Sequence, residues 1–226
     1  MRYPNIHAAR FLHRPNRFIA HCEMDGEVLT VHVKNTGRCR ELLVPGAAVW
    51  LTRSDNPARK TAWDLVAVEK GSRLINMDAN APNAVFGEFV RRGGFLPGAV
   101  FVRPEFTWGG SRFDFRLETE DGVHLVEVKG VTLEGQGVVR FPDAPTERGV
   151  RHLRELQAAV AAGLEAHAVF VIQMSDVTHF EPNDATHPAF GQALRAAAAA
   201  GVHLHAYTCR VTPDSMELDA PVPIRL

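Results

Sequence analysis

Two short segments in the second half of the chain carry charged residues among apolar, strand-forming neighbours. Segment 111–115 places Asp114 between two phenylalanines, and segment 125–130 places Glu127 and Lys129 among valines. Charged groups in such surroundings are costly unless they pair with each other or bind an ion. Because side chains alternate along a strand, Glu127 and Lys129 share one face of theirs. These two segments are therefore the first candidates for a chemical site.

A hairpin through Asp121-Gly122 would bring the two segments side by side. Counting outward from that turn places Asp114 and Glu127 near the same level of neighbouring strands. Two converging carboxylates predict a hard-cation site, for which Mg²⁺ or Mn²⁺ is the expected ion. Lys129 would orient a water molecule or stabilise charge on a phosphate. The alternative is a Glu–Lys pair on a solvated strand edge.

The elements that position these residues follow from apolar spacing and turn signals after residue 80. The expected order is α-β-β-β-α-β-α-β, which indicates a mixed sheet flanked by helices. Helices are expected at 82–92, 146–162 and 188–200, and strands at 99–107, 112–118, 123–129, 168–174 and 202–211. Thr146 is the expected N-cap of the long central helix.

The first 75 residues show a different pattern, in which short apolar runs are separated by turn residues. Strands are expected at 17–24, 27–34, 48–52 and 63–68, with Asp25-Gly26 as a two-residue hairpin turn. About five short strands in this length indicate a small barrel of the oligonucleotide/oligosaccharide-binding (OB) type. The predicted fold class is therefore α+β or mixed, with an OB-like domain at 1–80 and an α/β domain at 81–226.

The αβββαβ core of residues 81–226, with Asp114 in its second strand and Glu-x-Lys in its third, resembles the PD-(D/E)xK nuclease superfamily and its restriction-endonuclease-like fold. The resemblance implies that Asp114 and Glu127 hold the metal and that Lys129 assists the water that attacks a phosphodiester. In that superfamily a glutamate on the first helix often joins the metal ligands, and Glu88 is the candidate here. Glu105, in the preceding strand, is a second candidate. The alternative is that both glutamates are ordinary surface carboxylates.

Further motifs run in order along the whole chain. They are Asn35-Thr36-Gly37-Arg38, Pro45-Gly46, Arg59-Lys60, the segments 105–109, 111–115 and 127–133, and the long segment 141–149 followed by 152–156. Together these motifs resemble the sugar fermentation stimulation protein A family. The resemblance implies an N-terminal OB barrel, a C-terminal nuclease-like domain, DNA binding and a link to the regulation of maltose metabolism. Cys39-Arg40 stands where Met-Lys is common in the family, so a basic residue is kept.

The central helix carries a polar face beside its apolar one. Arg148, Arg151, His152 and Glu155 lie three and four residues apart and therefore share that face. Because a helix N-terminus favours anions, Arg148 or His152 would hold a phosphate near the metal. The alternative is a surface network, such as Arg151 paired with Glu155.

The formal net charge of −1 combines two unlike halves. Residues 1–80 carry twelve Lys/Arg and eight Asp/Glu, a balance of +4, whereas residues 81–226 carry thirteen and eighteen, a balance of −5. Such asymmetry favours a nucleic-acid partner, DNA with RNA as the alternative. The candidate contacts are Arg17, Lys34, Arg38, Arg40, Arg59 and Lys60. Phe18, His32, Trp50 and Trp63 are candidates for base stacking. The alternatives are that the basic residues lie on a solvated surface and that the two tryptophans lie in the core.

Composition limits the other classes of protein. Three scattered cysteines without a Cys-x-x-Cys motif argue against a disulfide scaffold and a structural zinc site. The first 18 residues lack a signal-peptide core and no apolar run approaches 18 residues, so we expect a cytoplasmic protein without membrane contact. A homodimer is compatible with the sequence, which does not determine the oligomeric state.

We predict a DNA-binding protein with a divalent-metal-dependent nuclease site. The alternative is a non-catalytic DNA-binding regulator of sugar metabolism genes, which has no need of two buried acids and a lysine. A carbohydrate-binding protein is the least favoured class, because only two tryptophans suggest a sugar site.

Overall fold

A closed barrel forms the first part of the chain. The computed structural model describes residues 1–35 and 37–226, so Thr36 of the motif at 35–38 lies outside the described residues. The barrel strands are β1 (Ile6–Asn16), β2 (Ile19–Met24), β3 (Glu27–Val33), β4 (Ala48–Arg53) and β5 (Trp63–Lys70), and β6 (Arg73–Asn76) extends from β5. Strands pair in the order β3-β2-β1-β4-β5, and parallel pairing of β3 with β5 closes the ring. The predicted five-stranded OB-like barrel is confirmed.

Sequence patterns did not reveal β1, nor did they reveal β6 and the last strand of the chain, Ser215–Pro221. Only Phe11 of the eleven residues of β1 is buried, so the segment lacks the alternation that identifies a strand. It nevertheless pairs with both β2 and β4. At the hairpin between β2 and β3, Asp25 and Gly26 have φ angles of 53° and 82°, as the predicted two-residue turn requires.

A mixed six-stranded sheet forms the second part of the chain. Its strands are β7 (Phe101–Trp108), β8 (Ser111–Thr119), β9 (Gly122–Val131), β12 (Glu165–Ile172), β14 (His203–Thr212) and β15 (Ser215–Pro221). They lie in the order β15-β14-β12-β9-β8-β7. The pairs among β9, β12 and β14 are parallel, and the outer pairs are antiparallel. The predicted mixed sheet is confirmed.

Within residues 1–35 and 37–226, three helices cover the two faces of this sheet. They are α1 (Ala81–Arg91), α2 (Glu147–Ala161) and α3 (Pro188–Ala199). Phe86 of α1 packs in the same cluster as Val126 and Val128 of β9, whereas Leu153 of α2 belongs to the cluster that holds Leu125. Alternate side chains of β9 therefore enter cores on opposite faces. Among the described residues, no helix has the length and apolarity that a membrane crossing needs.

The start of α2 is fixed as its sequence predicts. The Thr146 hydroxyl accepts a hydrogen bond from the Gly149 amide at 3.0 Å, which makes Thr146 the N-cap. This cap satisfies one of the free amides of the first turn. It thereby fixes where the polar face of α2 begins.

A small third sheet lies between the barrel and the large sheet. It consists of β10 (Leu133–Gly135), β11 (Val138–Phe141) and β13 (His179–Pro182). Strands of three or four residues are too short to show a period of two, so these elements were not predicted.

Polar contacts join the two parts of the chain. The Gln173 amide, at the end of β12, donates to the carbonyl oxygens of Asn76 and Asp78 at 3.1 Å. Lys70 of β5 donates to the Glu134 carboxylate of β10 at 2.8 Å. The connection at 77–80, where the predicted domain boundary lies, is therefore held beside the large sheet.

Candidate metal centre

Asp114 and Glu127 lie where β8 separates from β9. The two strands pair from Thr119–Gly122 to Phe115–Val126, and their backbone pairing ends there. The next residue of β8, Asp114, uses its side chain instead: its Oδ2 accepts a hydrogen bond from the Val128 amide at 2.7 Å. The predicted hairpin therefore brings the Asp114 carboxylate against the backbone that carries Glu127.

The Asp114 residue is half-buried. Its Oδ1 accepts a hydrogen bond from the Asn83 amide, in the first turn of α1, at 2.7 Å. Burial, together with the negative charge of Glu127, raises the pKa of Asp114. Two carboxylates that disfavour each other's charge form a site that a divalent cation would stabilise.

The Glu127 carboxylate is more deeply buried, with 5% of its side chain exposed. Its Oε1 accepts hydrogen bonds from the Lys129 ammonium and from Nδ1 of His152. Burial alone would raise the pKa of Glu127, but the His152 hydrogen bond and the Lys129 charge hold it below its usual value. Its Oε2 is buried without a hydrogen-bond partner. A buried, ionised oxygen without a partner is suited to a metal ion.

A chain of hydrogen bonds fixes how Glu127 is held. The Arg148 Nε donates to Nε2 of His152 at 3.3 Å. Since Nε2 accepts that bond, Nδ1 carries the proton that His152 donates to Glu127. His152, oriented by Arg148, and Lys129 occupy Oε1 and leave Oε2 as the oxygen available to a ligand.

The strand β9 presents these groups as its sequence pattern predicts. Glu127 and Lys129 face α2, while Val126 and Val128 pack toward α1. A Cβ at the next residue, Gly130, would lie 2.7 Å from Cγ of Pro82 in α1 and 2.6 Å from the Gln173 side chain. The absence of a side chain there lets α1 pack directly on the strand that holds the site.

Glu88 and Glu105, the other predicted acids, make contacts elsewhere. Glu88 binds the Met1 ammonium at 2.8 Å, since it lies five residues beyond Asn83 on a different face of α1. Glu105 is 68% exposed and lies 3.5 Å from Arg112. Among the described residues there is no group of three His, Cys, Asp or Glu side chains that could hold a metal. The expected third protein carboxylate is therefore not supplied by either glutamate.

Asn83, which sequence reasoning missed, holds Asp114. Ser111 Oγ and Glu155 Oε2 are buried without hydrogen-bond partners among the described residues. A Cβ at Gly110 would lie 3.1 Å from Oε1 of Glu155, so Glu155 faces the turn between β7 and β8. No ion pair joins Glu155 to Arg151, although the structure describes both residues. The spacing of His152 and Glu155 on one helix face was the available signal.

The predicted nucleic-acid contacts separate into two groups. Arg17, Arg38 and Arg40 line one cleft of about 520 Å³ at one end of the barrel. Lys34 instead pairs with the buried Asp78 at 2.5 Å, and Arg59 with Asp64 at 2.8 Å. Lys60 is exposed and does not line the cleft. The six basic residues therefore do not form a single patch.

Comparisons with known proteins agree with this architecture. Residues 12–77 match the family model described as the SfsA N-terminal OB domain, and residues 80–215 match the sugar fermentation stimulation protein RE domain. The sugar fermentation stimulation protein homolog of Desulfitobacterium hafniense is 55% identical over 226 residues, covering 100% of this chain and 99% of that protein. The homolog of Clostridium beijerinckii is 50% identical, with 96% of each chain covered.

A solved structure shares the whole fold. The SfsA of Pyrococcus furiosus, determined in complex with Ca²⁺, is 25% identical with a TM-score of 0.91, and the match covers 100% of this chain and 98% of that one. The barrel, the mixed sheet and their order along the chain are thus shared with that protein. The chain belongs to the sugar fermentation stimulation protein (SfsA) family.

Proposed function

We propose that this protein binds nucleic acid and hydrolyses phosphodiester bonds with a divalent cation held by Asp114 and Glu127. The observation that carries the proposal is the buried Oε2 of Glu127, which has no hydrogen-bond partner and belongs to a carboxylate beside Asp114. A protein that only binds DNA has no need of this arrangement. As a nucleic-acid enzyme it would act in the cytoplasm.

The donor set suits Mg²⁺ or Mn²⁺. Both carboxylates offer oxygen, and Mg²⁺ is held by one or two carboxylates while it keeps several waters. The Ca²⁺ complex of the Pyrococcus furiosus SfsA supports a divalent cation in this fold. The bound ion would polarise a phosphoryl oxygen and lower the pKa of its water.

The chain's own residues supply the remaining functions. Asn83 and the Val128 amide orient Asp114, and His152 orients Glu127. Lys129, held against Glu127 with 17% of its side chain exposed, places a positive charge where a phosphate acquires negative charge in the transition state. Arg148, in the first turn of α2, attracts the same phosphate from the helix N-terminus. The barrel supplies the contacts to nucleic acid, DNA in our proposal, through Arg17, Lys34, Arg38, Arg40, Arg59 and Lys60.

The test is a nuclease assay on single-stranded, duplex and branched DNA and on RNA, with Mg²⁺ or Mn²⁺. We expect Glu127→Gln and Lys129→Ala each to lower the cleavage rate by about 100-fold or more. Glu127→Gln removes an anionic metal ligand, and Lys129→Ala removes the positive charge aimed at the reacting phosphate. Arg225→Gln, an exposed change near the C-terminus, serves as the control. Cleavage that survives both substitutions would contradict the mechanism. Salt-dependent binding without cleavage would favour the non-catalytic regulator.

A further inference from the structure

We propose that the cleft at the end of the barrel binds an unpaired nucleotide of a single strand. This inference rests on the proposed function, for which it names the form of nucleic acid that the barrel recognises. The cleft is bounded by the end of β1 and by the segment 37–45. Its volume of about 520 Å³ falls in the range of small-ligand sites and is too small to admit a duplex.

The charge of the cleft suits phosphate. Arg17, Arg38 and Arg40 are exposed, and none of the three forms an ion pair within the part of the chain that the structure describes. Among the residues that the structure describes, no Asp or Glu lines the cleft. By contrast, Lys34 and Arg59 are paired with carboxylates. Unpaired guanidinium groups bind phosphate oxygens in a bidentate manner, so these three residues are available to a nucleic-acid backbone.

A fourth arginine holds the cleft in shape. The Arg14 guanidinium donates to the carbonyl oxygens of Asn35 at 2.7 Å, Gly37 at 3.0 Å and Arg38 at 3.1 Å. It also donates to the carbonyl oxygen of Arg17. One side chain therefore joins the turn that carries Arg17 to the segment that carries Arg38. Groups fixed before binding lose less entropy when the ligand arrives.

The apolar part of the cleft suits a base. Phe11, Leu43 and Pro45 line it, and the exposed Phe18 lies beside it with the Arg17 guanidinium 4.8 Å from the centre of its ring. Phe18 is 44% exposed, so its ring is accessible to a ligand. Aromatic side chains bind single strands by stacking on bases, whose faces are covered in a duplex. The combination of stacking and phosphate groups therefore favours an unpaired nucleotide.

The cleft adjoins the second domain. A Cβ at Gly37 would lie 2.2 Å from Oδ2 of Asp143, so the cleft segment contacts the loop that precedes α2. That helix carries Arg148 and His152. A strand bound in the cleft thus lies on the side of the barrel that meets the domain of the metal centre.

The test measures binding of fluorescein-labelled oligothymidylate and of a duplex of equal length by anisotropy, with the full chain and EDTA to prevent cleavage. We expect Phe18→Ala to weaken single-strand binding about tenfold and to leave duplex binding nearly unchanged. The double variant Arg38→Gln/Arg40→Gln should weaken single-strand binding and make its salt dependence shallower, by about 0.7 in log–log slope for each phosphate that the variant no longer binds. Arg225→Gln, an exposed change outside the cleft, is the charge control, and thermal unfolding confirms that each variant folds.

The outcomes separate this inference from the proposed function. Single-strand binding that depends on the cleft, without any cleavage in Mn²⁺, would support the cleft and overturn the nuclease. Wild-type single-strand affinity in all the cleft variants would overturn the cleft, whether or not the protein cleaves. Equal losses for single strand and duplex would also overturn it, because the cleft would then be a general phosphate contact. Binding of neither nucleic acid by the native chain would refute it as well.

Discussion

His152 determines which oxygen of Glu127 is free. It is 2% exposed and lies between Glu127 and Arg148. Because Arg148 fixes the tautomer of His152, the histidine donates to Oε1 and cannot compete for Oε2. In the proposed mechanism His152 is therefore a positioning residue, which would act on the metal through Glu127. Outer-shell groups of this kind change metal affinity when they are removed.

We expect His152→Ala to lower Mn²⁺ affinity by about 10- to 100-fold, since Glu127 loses the group that orients it. His152→Asn should retain more affinity than His152→Ala, because the Asn amide can donate from near the position of Nδ1. Both affinities are measured by electron paramagnetic resonance of Mn²⁺, with thermal unfolding as a separate readout of stability. Equal loss in the two variants, in proportion to their loss of stability, would show a purely structural role.

Local sequence patterns identified the central residues of the candidate site, but they did not identify which residues surround them. Asp114, Glu127 and Lys129 could be grouped because hairpin counting and strand alternation act over a few residues. Glu88 could not be excluded in the same way, since the rotation of α1 relative to the sheet depends on packing. Asn83 carried no signal, because an exposed amide in a first helical turn is ordinary.

At the scale of elements, α1 and β9 are held together by the lack of a side chain at Gly130. We expect Gly130→Ala to destabilise the protein by about 1 to 3 kcal/mol, because its methyl group overlaps Pro82 and Gln173. Mn²⁺ affinity should fall as well, since α1 carries Asn83 and β9 carries Glu127. Urea unfolding and Mn²⁺ titration measure the two effects.

A glycine in the small sheet provides the matched control. A Cβ at Gly135 of β10 would meet only a side-chain nitrogen of Arg140, at 4.0 Å. Gly135→Ala should therefore change stability little, or raise it slightly by restricting the unfolded chain. Equal effects of the two substitutions on stability would show that close packing at Gly130 does not stabilise the protein.

Elements with strong local signals were predictable, and elements that depend on distant partners were not. The long helix α2 was predicted with its N-cap because Thr146 and the apolar positions lie within one segment. β1 has one buried residue and is held as a strand by pairing with β2 and β4 on its two sides. Its conformation therefore comes from the closure of the barrel and not from its own residues.

At the scale of the whole molecule, a row of histidines crosses three neighbouring interior strands of the large sheet. Nε2 of His167 lies 3.0 Å from Nδ1 of His124, and Nδ1 of His167 lies 3.1 Å from Nε2 of His205. Burial, followed by the charges of neighbouring histidines, lowers the pKa of His167 to about 3 and that of His205 to about 4. Side chains of β9, β12 and β14 are therefore in contact through imidazole rings, and those of His167 and His205 stay neutral in the folded protein.

This row predicts that acid destabilises the whole fold well above the pH at which carboxylates are protonated. Both histidines bind protons less tightly in the folded state than in the unfolded state, where the pKa is about 6.5. Their stabilising contribution is therefore complete above pH 6.5 and is lost as pH falls from there toward the folded values of about 4 and 3. Between pH 6 and 5 the slope should approach roughly 1.4 kcal/mol per pH unit for each histidine.

The measurement is the free energy of unfolding in urea at pH 7, 6 and 5 for the native protein and for His167→Gln. Glu165, which pairs with His203 at 2.8 Å, and Asp121 are the acidic groups near the row. The variant should be less stable at pH 7 but lose less stability toward pH 5, because one titrating group is absent. His7→Gln, at an exposed position of β1, should keep the native slope. A slope unchanged by His167→Gln would mean that other groups, and not this row, link the fold to pH.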